Sequence, residues 1–227
     1  IIGGISDPVV SDEAKAVFGE ELKLHLDAKT EVKLDENGNV EVHWEQDGEK
    51  GVFFAEYMLA AVGRRPNVDN IGLENINIEK DARGVPVADR LTMQTSIPHI
   101  FIAGDASNQL PLLHEASDQG KIAGDNAGRY PNIANGLRRS TIGVVFTNPQ
   151  IASVGLRHAQ VRQRYKNPEC VVIGEVSFHN QGRSRVMLVN QGSLRVYADR
   201  ETGRFLGAEG VGPAMEHIAH LLAWAHQ

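Results

Sequence analysis

Three short stretches of the 227-residue chain offer groups that could do chemistry or hold a ligand. The first is Asp105, which follows Gly104 at the end of the apolar run Ile97-Pro98-His99-Ile100-Phe101-Ile102-Ala103. A carboxylate at the carboxyl end of a strand accepts hydrogen bonds from hydroxyls and repels phosphate, so it suits a sugar or polyol. Capping a helix is an equally good use of it. The second stretch is Gly63-Arg64-Arg65-Pro66-Asn67, into which the apolar run Tyr57–Val62 delivers the chain. A strand ending in a glycine turn is how open α/β folds bring backbone against a ligand, and Pro66 biases Arg65 away from helix. The third is Leu113-His114-Glu115, leading into a helix that runs through Arg129. Ala116, Gly120, Ala123 and Ala127 recur along it and permit close approach of a backbone or a flat ligand. The amides at such a helix start stabilise an electron-rich group. His114 is placed to touch that group, or to serve as core or cap.

Other reactive residue types read as structural. His217 and His220 flank no third ligand that would complete a zinc site with Glu216, so no metal is expected. Cys170 is the only cysteine and excludes an internal disulfide; it precedes an apolar run and reads as buried and inert. The glycines from Gly207 to Gly212 have the wrong spacing for a dinucleotide fingerprint and read as a turn from a strand into the last helix. No serine elbow, phosphate-binding loop or GxGxxG is present.

The elements that must position these groups follow from periodicity. A helix capped by Ser11 is expected over Asp12–Glu21, with Ala14, Phe18 and Leu22 on one face. Alternation then takes over at Leu22-Leu24-Leu26, Thr30–Leu34, Val40–Trp44 and Val52–Phe54, with turns at Asn37-Gly38 and Asp47-Gly48. The result is a meander with one wet face, on which His25 and His43 are surface residues. Proline, asparagine and glycine between Tyr130 and Arg139 mark a boundary. Beyond it, runs at Thr141–Phe146, Asn148–Gly155, Cys170–Gly174, Arg185–Val189, Leu194–Tyr197 and Phe205–Ala208 suggest antiparallel strands, with a helix near Arg157–Tyr165. A final helix after Pro213 carries the stripe Met215, Ile218 and Leu222, expected to form a two-fold interface. Trp44, Phe101, Phe146 and Trp224 read as core or interface.

Composition narrows the function classes. Hydrophobic residues make up 41% and charged residues 23%, which is globular rather than disordered. Residues 1–60 hold 14 acidic and 5 basic side chains, and residues 138–204 hold 11 basic and 4 acidic. With a net charge of −6 and no recognition module, nucleic acid is not expected as a partner. Nor is a membrane, since no apolar run approaches the roughly 20 residues of a spanning helix. The absence of a signal peptide and the single cysteine suggest a cytoplasmic protein.

The ordered set Ala61–Asn67, Asn70-Ile71-Gly72-Leu73 and Ile100–Asp105 resembles the pyridine-nucleotide–disulfide oxidoreductases, most of all their dihydrolipoyl dehydrogenase-like members. Phe146–Gly155 is similar to the opening of that family's dimerisation domain, and Gly207–Glu216 to its later strand-to-helix passage. The resemblance implies FAD, NAD, a symmetric homodimer, and a small-molecule or lipoyl-protein dithiol as substrate. It implies that Asp105 holds the ribityl chain, that Gly104 lets backbone approach FAD, and that Gly63 returns the chain towards it. Leu113 and His114 would face the isoalloxazine pyrimidine edge. Val62 stands where a threonine is common.

The fold class implied is an α/β partial FAD/NAD-binding region followed by an α+β dimerisation domain with an antiparallel sheet. Residues 1–66 would be a partial nicotinamide region, 67–135 the last segment of the flavin domain, and 140–227 the dimerisation domain. An N-terminal FAD fingerprint, a CxxxxC pair and the closing histidine–glutamate element have no counterpart here. The expectation is therefore an inactive C-terminal fragment without its flavin region, with weak or absent FAD binding. Its parent would be dihydrolipoyl dehydrogenase-like, or alternatively a glutathione or mercuric reductase or a soluble transhydrogenase. A noncatalytic dimerisation module is the remaining alternative.

Overall fold

The computed structural model describes residues 2–227, which form two compact units. One comprises the residues up to Ala61 together with Ser140–Gln227; the other is Val62–Arg139.

The first unit is built on a five-stranded antiparallel sheet. Its strands are β4 (Ile142–Val145), β5 (Gln150–Gly155), β6 (Val171–Ser177), β7 (Ser193–Asp199) and β8 (Phe205–Gly212), in the order β4-β5-β8-β7-β6. Side chains alternate between the faces, so Ala152 and Val154 point one way and Ile151 and Val211 the other. Helix α5 (Met215–His226) covers the first face with Met215, Ala219 and Ala223, joined by Phe178. The second face is covered by α1 (Pro8–Gly19), whose Val10 and Ala14 join Ile5 against Ile151 and Val211. Nearby, α3 (His158–Arg164) packs Val161 against Tyr197 and Leu206. Coverage on both sides explains why β8 is buried over nearly its whole length.

Several expectations change here. Helix α1 starts at Pro8, not near Ser11: Asp7 accepts hydrogen bonds from the Val9 and Val10 amides, and proline at the first helical position lacks the N–H that would go unpaired. The glycines of 207–212 lie within β8 rather than in a turn, and a Cβ at Gly210 would come within 2.7 Å of Met215 Cε. Arg185–Val189 forms no strand: Arg185 and Val186 close the short helix α4 (Gly182–Val186). Cys170 is exposed, not buried, because it ends a short 3₁₀ turn ahead of β6. On α5, Ile218 and Leu222 pack with Met215 on the internal core, so the stripe expected at an interface is the helix's inward face. The outward apolar residues are Leu221, 66% exposed, and Trp224, 78% exposed.

A separate meander of β1 (Lys29–Leu34), β2 (Val40–Gln46) and β3 (Glu49–Ala55) matches the alternation. Asp47 and Gly48 join β2 to β3 with φ values of 51° and 87°, the two left-handed residues that a tight hairpin turn requires. His25 and His43 are half-buried rather than on a wet surface. The His25 ring lies 4.1 Å from that of Trp44. Leu22–Leu26 forms no strand.

The second unit carries one long helix, α2 (Leu113–Arg129), over segments joined by isolated bridges such as Gln94 with Phe101. Neither Tyr57–Val62 nor Ile97–Ala103 forms a named strand. An apolar run becomes a strand only when a ladder takes up its backbone groups; here Ile102 donates to the Met93 carbonyl at 3.1 Å and Ile100 accepts from the Thr95 amide at 2.9 Å, but the pairing stops at the one bridge.

Candidate functional site

The sequence-predicted residues gather in the second unit around one turn. Residues Gly104–Ser107 form a 3₁₀ turn, entered at Gly104 with φ +70° and left through Asn108 at φ +54°. A Cβ at Gly104 would lie 3.3 Å from Cβ of Ala116, so glycine is required by both conformation and closeness to α2. This approach sets Asp105 beside the start of the helix. The Asp105 carboxylate is 40% exposed and meets the Arg64 guanidinium at 3.2 Å. It is not the cap of α2: the N-cap is Leu112, with no side-chain hydrogen bond. Leu113 is 89% exposed and His114 is exposed with it, so the first amides of α2 are free of side-chain caps. Gly63 has φ +107° with open space about it; conformation alone demands glycine there.

Sequence reasoning missed what holds this arrangement. The buried face of α2 consists of Glu115, Gln119, Ile122 and Asn126, three of them polar. Each polar side chain grips another segment. Glu115 pairs with Arg138. Gln119 Oε1 accepts from the Gly104 amide at 2.9 Å and from Ser107 Oγ at 3.0 Å. The Asn126 amide group donates to the carbonyls of Thr92 (3.0 Å) and Ala134 (2.9 Å) and accepts from the Ala134 amide (2.9 Å). The spacing i, i+4, i+7, i+11 was the available signal, but periodicity searches look for apolar residues. At the foot of the turn, Asn108 donates to Asp81 at 3.2 Å. The Val85 amide hydrogen bond, joined by those of the Arg83 amide and Asn108, holds the Asp81 carboxyl below its ordinary value against the opposing effect of desolvation.

A second polar cluster lies in the first unit, where α1 meets the five-stranded sheet. Asp7, Tyr197 and Glu209 are all fully buried. The Tyr197 hydroxyl stands 2.9 Å from Asp7 Oδ2 and 3.1 Å from Glu209 Oε2. Arg195 donates to Asp7 at 3.0 Å, while Glu209 accepts from the amides of Ser6 (2.6 Å) and His158 (2.7 Å). Burial alone would raise the Asp7 pKa, but hydrogen bonds from Tyr197, Arg195 and the Val10 amide together with the arginine charge hold it below the ordinary value. Burial, then the charges and hydrogen bonds of Glu209 and Asp7, push the Tyr197 phenol far up, so it stays a neutral donor. A cavity of about 650 Å³ opens in the same unit, walled by Phe18, Phe178, Met187 and Ile218; none of the sequence-predicted site residues lines it. His217 lies exposed, 3.6 Å from Glu216, and among the described residues no three metal-ligating side chains converge.

The pyridine nucleotide-disulphide oxidoreductase family model matches residues 4–120, and the dimerisation-domain model of that family matches residues 141–227. The dihydrolipoyl dehydrogenase of Haloferax volcanii is 34% identical over 222 residues, covering 95% of this chain and 45% of that protein. That of Geobacillus stearothermophilus is also 34% identical, covering 97% and 46%. Among solved structures, LpdA from Mycobacterium tuberculosis superposes with a TM-score of 0.75 at 25% identity, over 96% of this chain and 46% of that one. The HOCl-induced flavoprotein disulfide reductase RclA from Escherichia coli superposes at 0.77 and 22% identity, over 97% and 49%, and shares the fold. The chain thus spans about half the length of the proteins it matches. These matches correct the expectation of an inactive fragment lacking its flavin-binding region, and with it the noncatalytic alternative: residues 4–120 are oxidoreductase-domain sequence, present ahead of the dimerisation domain. An α/β region over residues 4–120 followed by an α+β, antiparallel dimerisation domain over 141–227 places this chain in the pyridine nucleotide-disulphide oxidoreductase family.

Proposed function

We propose that the protein serves FAD-dependent electron transfer between NAD and a dithiol, in the manner of its dihydrolipoyl dehydrogenase relatives, with a small-molecule or lipoyl-protein dithiol as substrate. The observation that carries this reading is the packing of Gly104 against Ala116, which sets the Asp105 carboxylate, paired with the exposed Arg64, beside a helix start that has no side-chain cap. That pairing fits a flavin: the carboxylate suits hydroxyls and the amides suit an electron-rich ring. Bound FAD would supply the two-electron carrier.

The chain's own residues bind and orient. Asp105 accepts hydrogen bonds from ribityl hydroxyls, with Arg64 balancing its charge, and Gly104 keeps side-chain bulk away from them. Leu113 and His114 present backbone N–H groups to the pyrimidine edge, where partial positive charge favours the reduced cofactor. Gly63 returns the chain from the nicotinamide region. In this reading residues 1–66 belong to the nicotinamide region, 67–135 to the flavin-binding domain, and 140–227 to a homodimer interface. The dimerisation-domain match supports self-association, and outward-facing Leu221 and Trp224 supply apolar surface for it. A cytoplasmic setting agrees with the lone cysteine. No described helix is long and apolar enough to cross a membrane, and neither nucleic acid nor membrane has a part in this reading.

Flavin titration of the purified chain, followed by fluorescence quenching, tests the assignment. Asp105→Asn should weaken binding about tenfold or more, the effect of losing a charged acceptor for hydroxyls. Equal affinity in wild type and Asp105→Asn would refute it.

A further inference from the structure

Gln119 is wholly buried in the middle of α2, where a polar side chain carries a cost unless its groups are used. One end is used. Its Oε1 accepts the Gly104 amide at 2.9 Å and lies 3.0 Å from Ser107 Oγ, whose single hydrogen it shares with the Gly104 carbonyl 2.8 Å away. The Gly104 amide can only donate, so the amide group of Gln119 must face the turn with its oxygen. Its Nε2 then faces away, buried and without a partner. A residue kept for packing alone would not leave that donor unpaired, since an apolar side chain of the same volume fills the space without the penalty.

We infer that Gln119 is the positioning residue of the candidate cofactor site: its side-chain oxygen fixes the left-handed entry at Gly104 and so sets the direction of Asp105. The inference rests on the flavin reading for the purpose of the turn, but the holding of the turn is measurable without any cofactor. Helix α2 thereby links both halves of the site through one side chain, because the helix whose start flanks Asp105 also clamps the turn that carries it.

Two substitutions of similar volume separate this role from packing. Gln119→Met keeps bulk and removes the acceptor; Gln119→Glu keeps an oxygen towards Gly104 and replaces only the unpaired donor. Hydrogen exchange in the cofactor-free chain should show the Gly104 amide exchanging at least about tenfold faster in Gln119→Met, and within about threefold of wild type in Gln119→Glu. Flavin affinity should follow the same order. A space-filling role predicts the reverse, with methionine tolerated and the buried carboxylate disruptive, and that result overturns the inference. If Gln119→Met does not fold, Gln119→Glu decides alone: wild-type protection at Gly104 supports the positioning role and its loss overturns it. Exchange at Gly104 decides this inference, whereas the Asp105→Asn titration decides the flavin reading beneath it. The expected exchange pattern in a chain that binds no flavin would therefore remove the reading and leave the clamp standing.

Discussion

Asp7 is the residue whose removal should most change the first unit. Its Oδ1 caps α1 through the Val9 and Val10 amides and also receives Arg195, while its Oδ2 receives the Tyr197 hydroxyl, and the carboxylate itself is fully buried. Loss of the cap costs about 1 kcal/mol. Leaving the tyrosine hydroxyl to Glu209 (3.1 Å) and the arginine to Glu175 (3.4 Å) adds about 2–3 kcal/mol, towards the lower end because each keeps that second partner. Asp7→Ala should thus destabilise by about 3–4 kcal/mol, while Asp7→Asn, which keeps a capping oxygen, should cost about half of that. Because both partners sit in one network, Tyr197→Phe should not add in full: a double-mutant cycle should return a coupling of about 1–2 kcal/mol. Urea unfolding gives the totals, and hydrogen exchange of the α1 amides locates the loss. A cost below about 1 kcal/mol for Asp7→Ala, or strict additivity with Tyr197→Phe, would refute the account.

Three further outcomes are expected. Acid unfolding should depend on Asp7: its lowered pKa gives stability that is fully present at neutral pH and lost as pH falls below the ordinary value of about 4, so Asp7→Asn should flatten that limb of a stability–pH curve. Gly104→Ala forces a side chain into φ +70° against Ala116 and should cost about 1–2 kcal/mol, read as a lower thermal midpoint for the second unit; an unchanged midpoint would contradict the crowding argument. Trp224→Arg should weaken self-association in sedimentation equilibrium while leaving circular dichroism unchanged, whereas Met215→Ala, in the core, should cost about 2–5 kcal/mol of stability.

Those elements were legible in sequence whose signal is local. Asp47-Gly48 is enough to place a hairpin, because few residue pairs accept two positive φ values in succession. The strands from β4 onward mostly declare themselves by apolar runs, and Gly104 and Asp105 by the run that delivers them. Other features depend on partners distant in the chain. Tyr57–Val62 reads as a strand by composition, yet a strand is made by its neighbours. Arg185–Val189 looks equally strand-like, but Gln181 accepts the Ser184 amide and starts a helical turn at residue 182. The buried face of α2 recurs at helical spacing but in polar residues, which an apolar pattern passes over, while the 190 residues between Asp7 and Tyr197 carry no periodic signature at all.

The seat of α1 bears on where this chain can be cut. Its residues fall within the oxidoreductase-domain match, yet they cover one face of the sheet made by the dimerisation-domain match. A gene segment beginning at residue 141 would be faithful to the family boundary and still leave bare the part of the sheet that α1 covers. Ile151 and Val211 would meet water, and Glu209 would lose the Ser6 amide that it accepts at 2.6 Å. A flat apolar face with unsatisfied polar groups beside it is a template for aggregation. The unit that recurs between sequences is therefore not the unit that folds, and any graft or swap of this dimerisation sheet must carry residues 5–19 along with it.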